Sequence, residues 1–238
     1  MASNLRGYTK RNLNQGRYNF FSRLDVTGRI IFVNVLFFIF GYILIILNEN
    51  NVKYLALQPS AILQGQYLWT FLTSMFMHAN VFHLFVNMFV LLSLGSFCER
   101  IIGGKRFFWF YLASGLFAGI AFVLLSGFFG NTDLGARIFG SPDLSGVGAS
   151  GAIFAIAALF MILTPNLKFS IIFLPFFSLP AYIMIPLVLF MTWLISAGAN
   201  WSIGNTAHFG GFLAGVFYGL HLRKKYSKKV KMLNQMVR

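Results

Sequence analysis

The chain has little charge. Asp, Glu, Lys and Arg make up 10% of its 238 residues, against roughly 25% in an ordinary soluble domain. Acids are scarcest, five in all: Asp25, Glu49, Glu99, Asp133 and Asp143. A single cysteine, Cys98, excludes an internal disulfide and any site built from several thiolates. No HExxH segment occurs, and His78 and His83 lie five apart with no carboxylate joining them, so no metal is expected. What is abundant is apolar: 58% of residues are hydrophobic and 30 are Phe. That composition excludes a water-soluble globule and describes a polytopic membrane protein of one domain.

Apolar runs predict six membrane-spanning helices at 30–47, 81–98, 107–129, 148–163, 171–195 and 205–222. The fifth is interrupted by Pro175, Pro180 and Pro186, so its first part is open to a non-helical or interfacial reading. Residues 1–29 form a basic N-terminal tail, 30–222 the membrane domain and 223–238 a basic C-terminal tail. The run after residue 29 lacks a small-residue cleavage site and reads as a retained span, not a signal peptide. The first external connection, 48–80, is rich in Leu, Trp and Phe and is expected to lie in the interface. The third, 130–147, holds four glycines and a proline and is expected to be loose.

Six spans put both termini on one side. Of the 19 Lys and Arg residues, 17 fall on that side and only Lys53 and Arg137 on the other. The positive-inside rule then makes both termini cytoplasmic, and the net charge of +14 requires no nucleic acid.

Polar side chains inside such spans are costly and point to function. His83 and Asn87 are four apart and share a helix face. Ser150 lies in Gly148-Ala149-Ser150-Gly151 at the start of the fourth helix, and His208 near the start of the sixth. Counting to Glu99, Pro165 and Arg223, where polar or helix-breaking residues resume, places His83, Ser150 and His208 at 16, 15 and 15 residues. At 1.5 Å per residue all three sit roughly 22 to 24 Å from the inner face of a core ~30 Å thick. One shared site, reached from outside through water, is expected. A serine in a membrane helix often does no more than bond its own i−4 carbonyl, but three helices converge here. Gly211, Gly215 and Gly219 form a stripe along the sixth helix that permits close approach to the Gly151, Ala155 and Ala158 face of the fourth. His78, near the interface, is read as a tether for its loop, and His221 as a residue of the basic end.

These residues carry a family resemblance over positions 67–221. Gly148-Ala149-Ser150-Gly151 resembles the GxSG motif of the rhomboid intramembrane serine proteases. Ala207-His208-Phe209-Gly210-Gly211, continuing to Gly215, resembles their AHxxGxxxG motif, and His78, His83 and Asn87 resemble their HxxxxHxxxN pattern. Trp69 is followed by Thr70 where members often carry Trp-Arg, and Phe154 stands where some have Tyr.

The resemblance implies a six-helix, all-α rhomboid-like bundle that cleaves transmembrane protein substrates in the lipid bilayer. In it Ser150 is the nucleophile, His208 its base, and His83, Asn87 and the Ser150 N–H hold the oxyanion. His78, Gly148, Gly151, Phe154 and Gly211 have supporting roles. No acid lies at the depth of His208, so Phe154 is expected to orient it, and neither cofactor nor metal is implied. The expected setting is the cell membrane, as a multi-pass protein of unspecified oligomeric state. The alternatives are a catalytically inactive rhomboid-like factor that binds membrane proteins for quality control, and a small transporter, which lacks support from any inverted repeat or continuous polar path.

Overall fold

The computed structural model describes residues 24–171, 174–199 and 204–236. Most of the basic N-terminal tail lies outside them. The architecture is helical. Helix α1 (Val26–Leu47) is capped at its start by Asp25, whose carboxylate accepts the Gly28 N–H. A second carboxylate completes that end: Glu99 accepts the N–H groups of Val26 and Thr27 and the Thr27 hydroxyl at 2.8–2.9 Å. The N-terminus of a helix leaves such donors unpaired, and a distant residue supplies the acceptor.

The 48–80 connection is ordered by a 3₁₀ turn (Glu49–Tyr54) and two short helices, α2 (Pro59–Leu63) and α3 (Thr70–Thr73). It leads to α4 (Val81–Val90), which continues through one π-helical turn (Leu91–Gly95) into α5 (Ser96–Ile102). Together these cover the 22 residues of one apolar span. Helix α6 (Gly104–Phe129) follows, then α7 (Asp133–Phe139), α8 (Ser150–Leu163), α9 (Ala181–Ala199), α10 (Asn205–Lys225) and α11 (Ser227–Met236).

Among the described residues three helices are long and apolar enough to cross a membrane: Val26–Leu47, Val81–Ile102 and Gly104–Phe129. Their outward side chains, such as Phe40, Ile46, Phe82 and Phe128, are large, apolar and exposed, as expected of a surface solvated by lipid. Shorter apolar helices occupy Ser150–Leu163 and Ala181–Ser196.

The structure decides one sequence expectation and corrects another. In the fifth apolar run the non-helical reading of the first part holds: an antiparallel strand pair, Lys168–Ile171 with Leu174–Pro180, precedes α9 within an otherwise helical architecture. Pro175 and Pro180 disfavour helix there, while the isolated strand pair can pair its own backbone. The third connection is not loose. It contains α7, and its later part is tied to the first connection by Leu57–Gly146 pairing, by the Ser60 N–H to the Pro142 carbonyl and by Gln58 to the Asp143 carbonyl. Within the basic C-terminal segment, the Asn234 side-chain amide of α11 donates to the Leu163 carbonyl at the end of α8 at 2.6 Å.

The core gathers around α8, which is buried on most sides by Ile153, Ala155, Ile156, Leu159 and Phe160. Its closest neighbour is α10, and the register is set by small residues. A Cβ on Gly211 would strike the Gly151 carbonyl, one on Gly215 the Ala155 carbonyl, and one on Gly219 would come within 2.8 Å of Ile162. The contacts advance together along both chains, so α8 and α10 run parallel and begin at the same end.

Candidate active site

Two helices that start together bring their first turns together. Ser150 is the first residue of α8, and His208 lies one turn into α10, its N–H bonded to the Gly204 carbonyl. The result is a hydrogen bond of 2.8 Å between Ser150 Oγ and His208 Nε2. The imidazole is held from one side by Phe154, one turn beyond Ser150, whose ring stacks on it at 4.5 Å and 26°. His208 Nδ1 is buried with no hydrogen-bond partner among the described residues. Packing therefore supplies the orientation that an acid gives elsewhere.

Gly148 shapes the approach to Ser150. Its φ of +126° is a conformation that favours glycine, and its N–H is fixed to the Ser74 carbonyl at 2.8 Å. A Cβ there would lie 2.9 Å from His83 Cε1, 3.1 Å from His83 Nε2 and 3.6 Å from Ser150 Oγ. The same small volume thus borders the serine oxygen and the His83 ring. The N–H groups of Ser150, Gly151 and Ala152 precede the first i→i−4 bond of α8, from Ile153 to Ala149. They give this volume a partial positive charge.

His83 is placed by its own helix start: Asn80 caps α4 by accepting the His83 N–H at 2.8 Å. Asn87, one turn on, is buried, and its side-chain amide donates to the His83 carbonyl at 3.0 Å. An asparagine amide has a second N–H, which that bond leaves free. His78 is fully buried, edge-on to the His83 ring at 5.1 Å and to Phe38 at 6.5 Å. Burial lowers its pKa to about 3, with the His83 charge adding and the Phe76 carbonyl opposing. It is a neutral wedge between α1 and α4. No group of three or more potential metal ligands occurs among the described residues.

Ser150, His208, His83, Phe154 and Gly148, singled out from sequence, thus meet at one place, with Asn87 one turn along and Gly151 and Gly211 forming the helix contact beneath. Sequence reasoning missed the supports that act through backbone. The Phe139 carbonyl accepts hydroxyls from Ser126 at 2.6 Å and Thr206 at 3.2 Å, and the Trp193 indole donates to the Ile138 carbonyl at 2.6 Å. The end of α7 is in this way fastened to α6, α9 and α10. A carbonyl acceptor has no residue signature, so nothing in the sequence marked it.

The architecture and apolar helices define a multi-pass membrane protein. The chain belongs to the rhomboid family: residues 65–225 match the Rhomboid domain. It is similar to Rhomboid protein 1, mitochondrial, of Saccharomyces cerevisiae, 31% identical over 73% of this chain and 48% of that one. It is also similar to Rhomboid protease GluP of Bacillus subtilis, 31% identical over 71% of this chain and 29% of that one. The human presenilin-associated rhomboid-like protein, mitochondrial, is 32% identical over 62% and 36% of the respective chains. The chain spans less than half the length of each of these relatives. Two are named as mitochondrial and one comes from a bacterium, so the similarity supports membrane residence without singling out the cell membrane.

Proposed function

We propose that the chain is an intramembrane serine endopeptidase that hydrolyses peptide bonds in or near transmembrane segments of other proteins. The observation carrying this reading is the Ser150–His208 hydrogen bond of 2.8 Å beneath a stacked Phe154 ring. Ser150 Oγ attacks the substrate carbonyl carbon while His208 Nε2 takes its proton. The oxyanion is held by the Ser150 N–H and by donors from His83 and Asn87. His208 then protonates the leaving amine, an acyl-serine remains, and water activated by the same imidazole releases the acid and restores the hydroxyl. Family membership and the name of the GluP relative support the same chemistry.

The reading includes six spans with both termini cytoplasmic, on the 17-to-2 division of basic residues. Helix α8 has 14 residues, about 21 Å of helix, which supports a serine recessed below the opposite surface. Labelling by an impermeant thiol reagent of a cysteine placed at position 236, in intact cells, would reverse this orientation. The cell membrane is the proposed setting, and fractionation with an organellar membrane instead would remove it.

The test of the function is incubation of detergent-solubilised protein with a single-span substrate. Cleavage by wild type that is absent in Ser150→Ala is expected; cleavage that persists would make Ser150 a structural residue.

A further inference from the structure

Helices α6 and α10 cross antiparallel, and the side chains between them change along their length. Near the candidate site they touch through small residues: a Cβ on Gly210 would strike Ala121 and lie 3.1 Å from the Ala118 Cα. Toward the other end the spacers are rings. Phe110 and Tyr218 stack at 4.8 Å, and the Arg106 guanidinium lies over Tyr226 at 5.9 Å. Small residues at one end thus give way to rings at the other, and a furrow of about 720 Å³ runs along the pair.

The two ends of this furrow differ chemically. Its mouth carries Lys105 and Arg106, both exposed, at the first turn of α6. The acid of the preceding turn, Glu99, accepts from the start of α1. Beyond the mouth the walls are apolar: Trp109, Ala113 and Phe117 from α6 and Ala214 and Phe217 from α10. From Lys105 to Phe117 is 12 residues of helix, about 18 Å. Trp109 and Phe217 are 60% and 63% exposed, so the furrow opens sideways, where lipid lies.

We propose that this furrow binds one anionic phospholipid, with the headgroup phosphate at Lys105 and Arg106 and an acyl chain along the Ala113 and Ala214 floor. The occupant follows from charge and shape. Two cations face the phosphate, an apolar channel the length of most of an acyl chain continues from them, and both cations lie in the first turn of α6, a helix long and apolar enough to cross a membrane. A soluble anion would use the mouth and leave the channel empty.

The test is native mass spectrometry of the full chain released from detergent after incubation with phosphatidylglycerol or phosphatidylcholine. With two cations at the headgroup site, retention of phosphatidylglycerol should exceed that of phosphatidylcholine by roughly tenfold or more. The double variant Lys105→Gln/Arg106→Gln should lose the preference, and Lys105→Arg should keep it. Ala113→Trp fills the channel from an exposed position and should reduce retention of both lipids without altering charge. Melting temperatures identify any variant that fails to fold, and Lys105→Arg and Ala113→Trp then carry the comparison. An unchanged preference in the Gln variant would overturn the headgroup assignment, and unchanged retention in Ala113→Trp would overturn the channel. Displacement of the lipid by equimolar inorganic phosphate would reduce the site to one for a free anion.

Discussion

Ser150 Oγ and His208 Nε2 are 2.8 Å apart although 58 residues separate them, because Gly211 and Gly151 let α10 lie directly on α8. The stripe of small residues and the dyad are therefore one feature. Gly211→Val places two methyl groups where the Gly151 carbonyl stands. Overpacking of this kind costs about 1–3 kcal/mol or more, and at this position it also separates Ser150 Oγ from His208 Nε2. The expected outcome is a lower melting temperature together with loss of activity larger than the unfolded fraction explains. A melting temperature within a degree of wild type would show that the helices can part without cost.

In the proposed mechanism Phe154 stands in for an orienting acid: its ring stacks on His208, whose Nδ1 has no partner among the described residues. Phe154→Ala should leave the imidazole free to turn and lower kcat about 10- to 100-fold, a loss of positioning, with KM little changed. Phe154→Tyr keeps the ring and should stay within a few-fold of wild type. Equal activity of all three in a steady-state assay would mean that the ring contributes only packing.

For Asn87 the amide's bond to the His83 carbonyl uses one N–H, and the second is the donor proposed for the oxyanion. Loss of one such donor typically lowers kcat about 10²- to 10³-fold, with KM little altered because the bond strengthens as charge develops. Asn87→Ala should therefore be slow but measurable, above Ser150→Ala, in variants of matched melting temperature. Wild-type turnover would make Asn87 a helix-stabilising residue and leave the oxyanion to His83 and the Ser150 N–H.

His78 should make stability depend on pH. Its pKa falls from 6.5 to about 3 on folding, so between those values the unfolded chain binds the proton and the folded chain does not. Stability is thus fully present above about pH 6.5 and lost as pH falls toward 3. Melting temperature in detergent should drop from pH 7.5 to pH 5 more steeply for wild type than for His78→Gln. Parallel curves would show that His78 is protonated in the folded state or reached by water.

Much of this site was legible because membrane burial makes polar residues conspicuous. Ser150, His83 and His208 stand out against apolar runs, and near-equal counts to Pro165, Glu99 and Arg223 pointed from residue order alone to the meeting of Ser150 and His208 seen in the structure. The 3.6-residue period of small residues on α8 and α10 likewise announces their contact. The strand pair Lys168–Ile171 and Leu174–Pro180 was hidden because its composition is as apolar as a span; only its prolines hinted otherwise. Glu99 as a cap for α1, the π-helical turn after Val90 and the Phe139 carbonyl as a fastening point were illegible for another reason. Each depends on backbone groups brought near by tertiary packing, which leaves no pattern in side-chain order.

The most direct measurement is covalent labelling by a fluorophosphonate, followed by peptide mapping. A resting serine hydroxyl is a weak nucleophile until a base takes its proton. Phosphonylation of Ser150 in wild type is expected, absent in Ser150→Ala, abolished in folded His208→Ala and unchanged by a metal chelator. Labelling of Ser150 that persists in folded His208→Ala, or a wild-type protein that neither reacts with the probe nor cleaves any single-span substrate, would contradict the dyad.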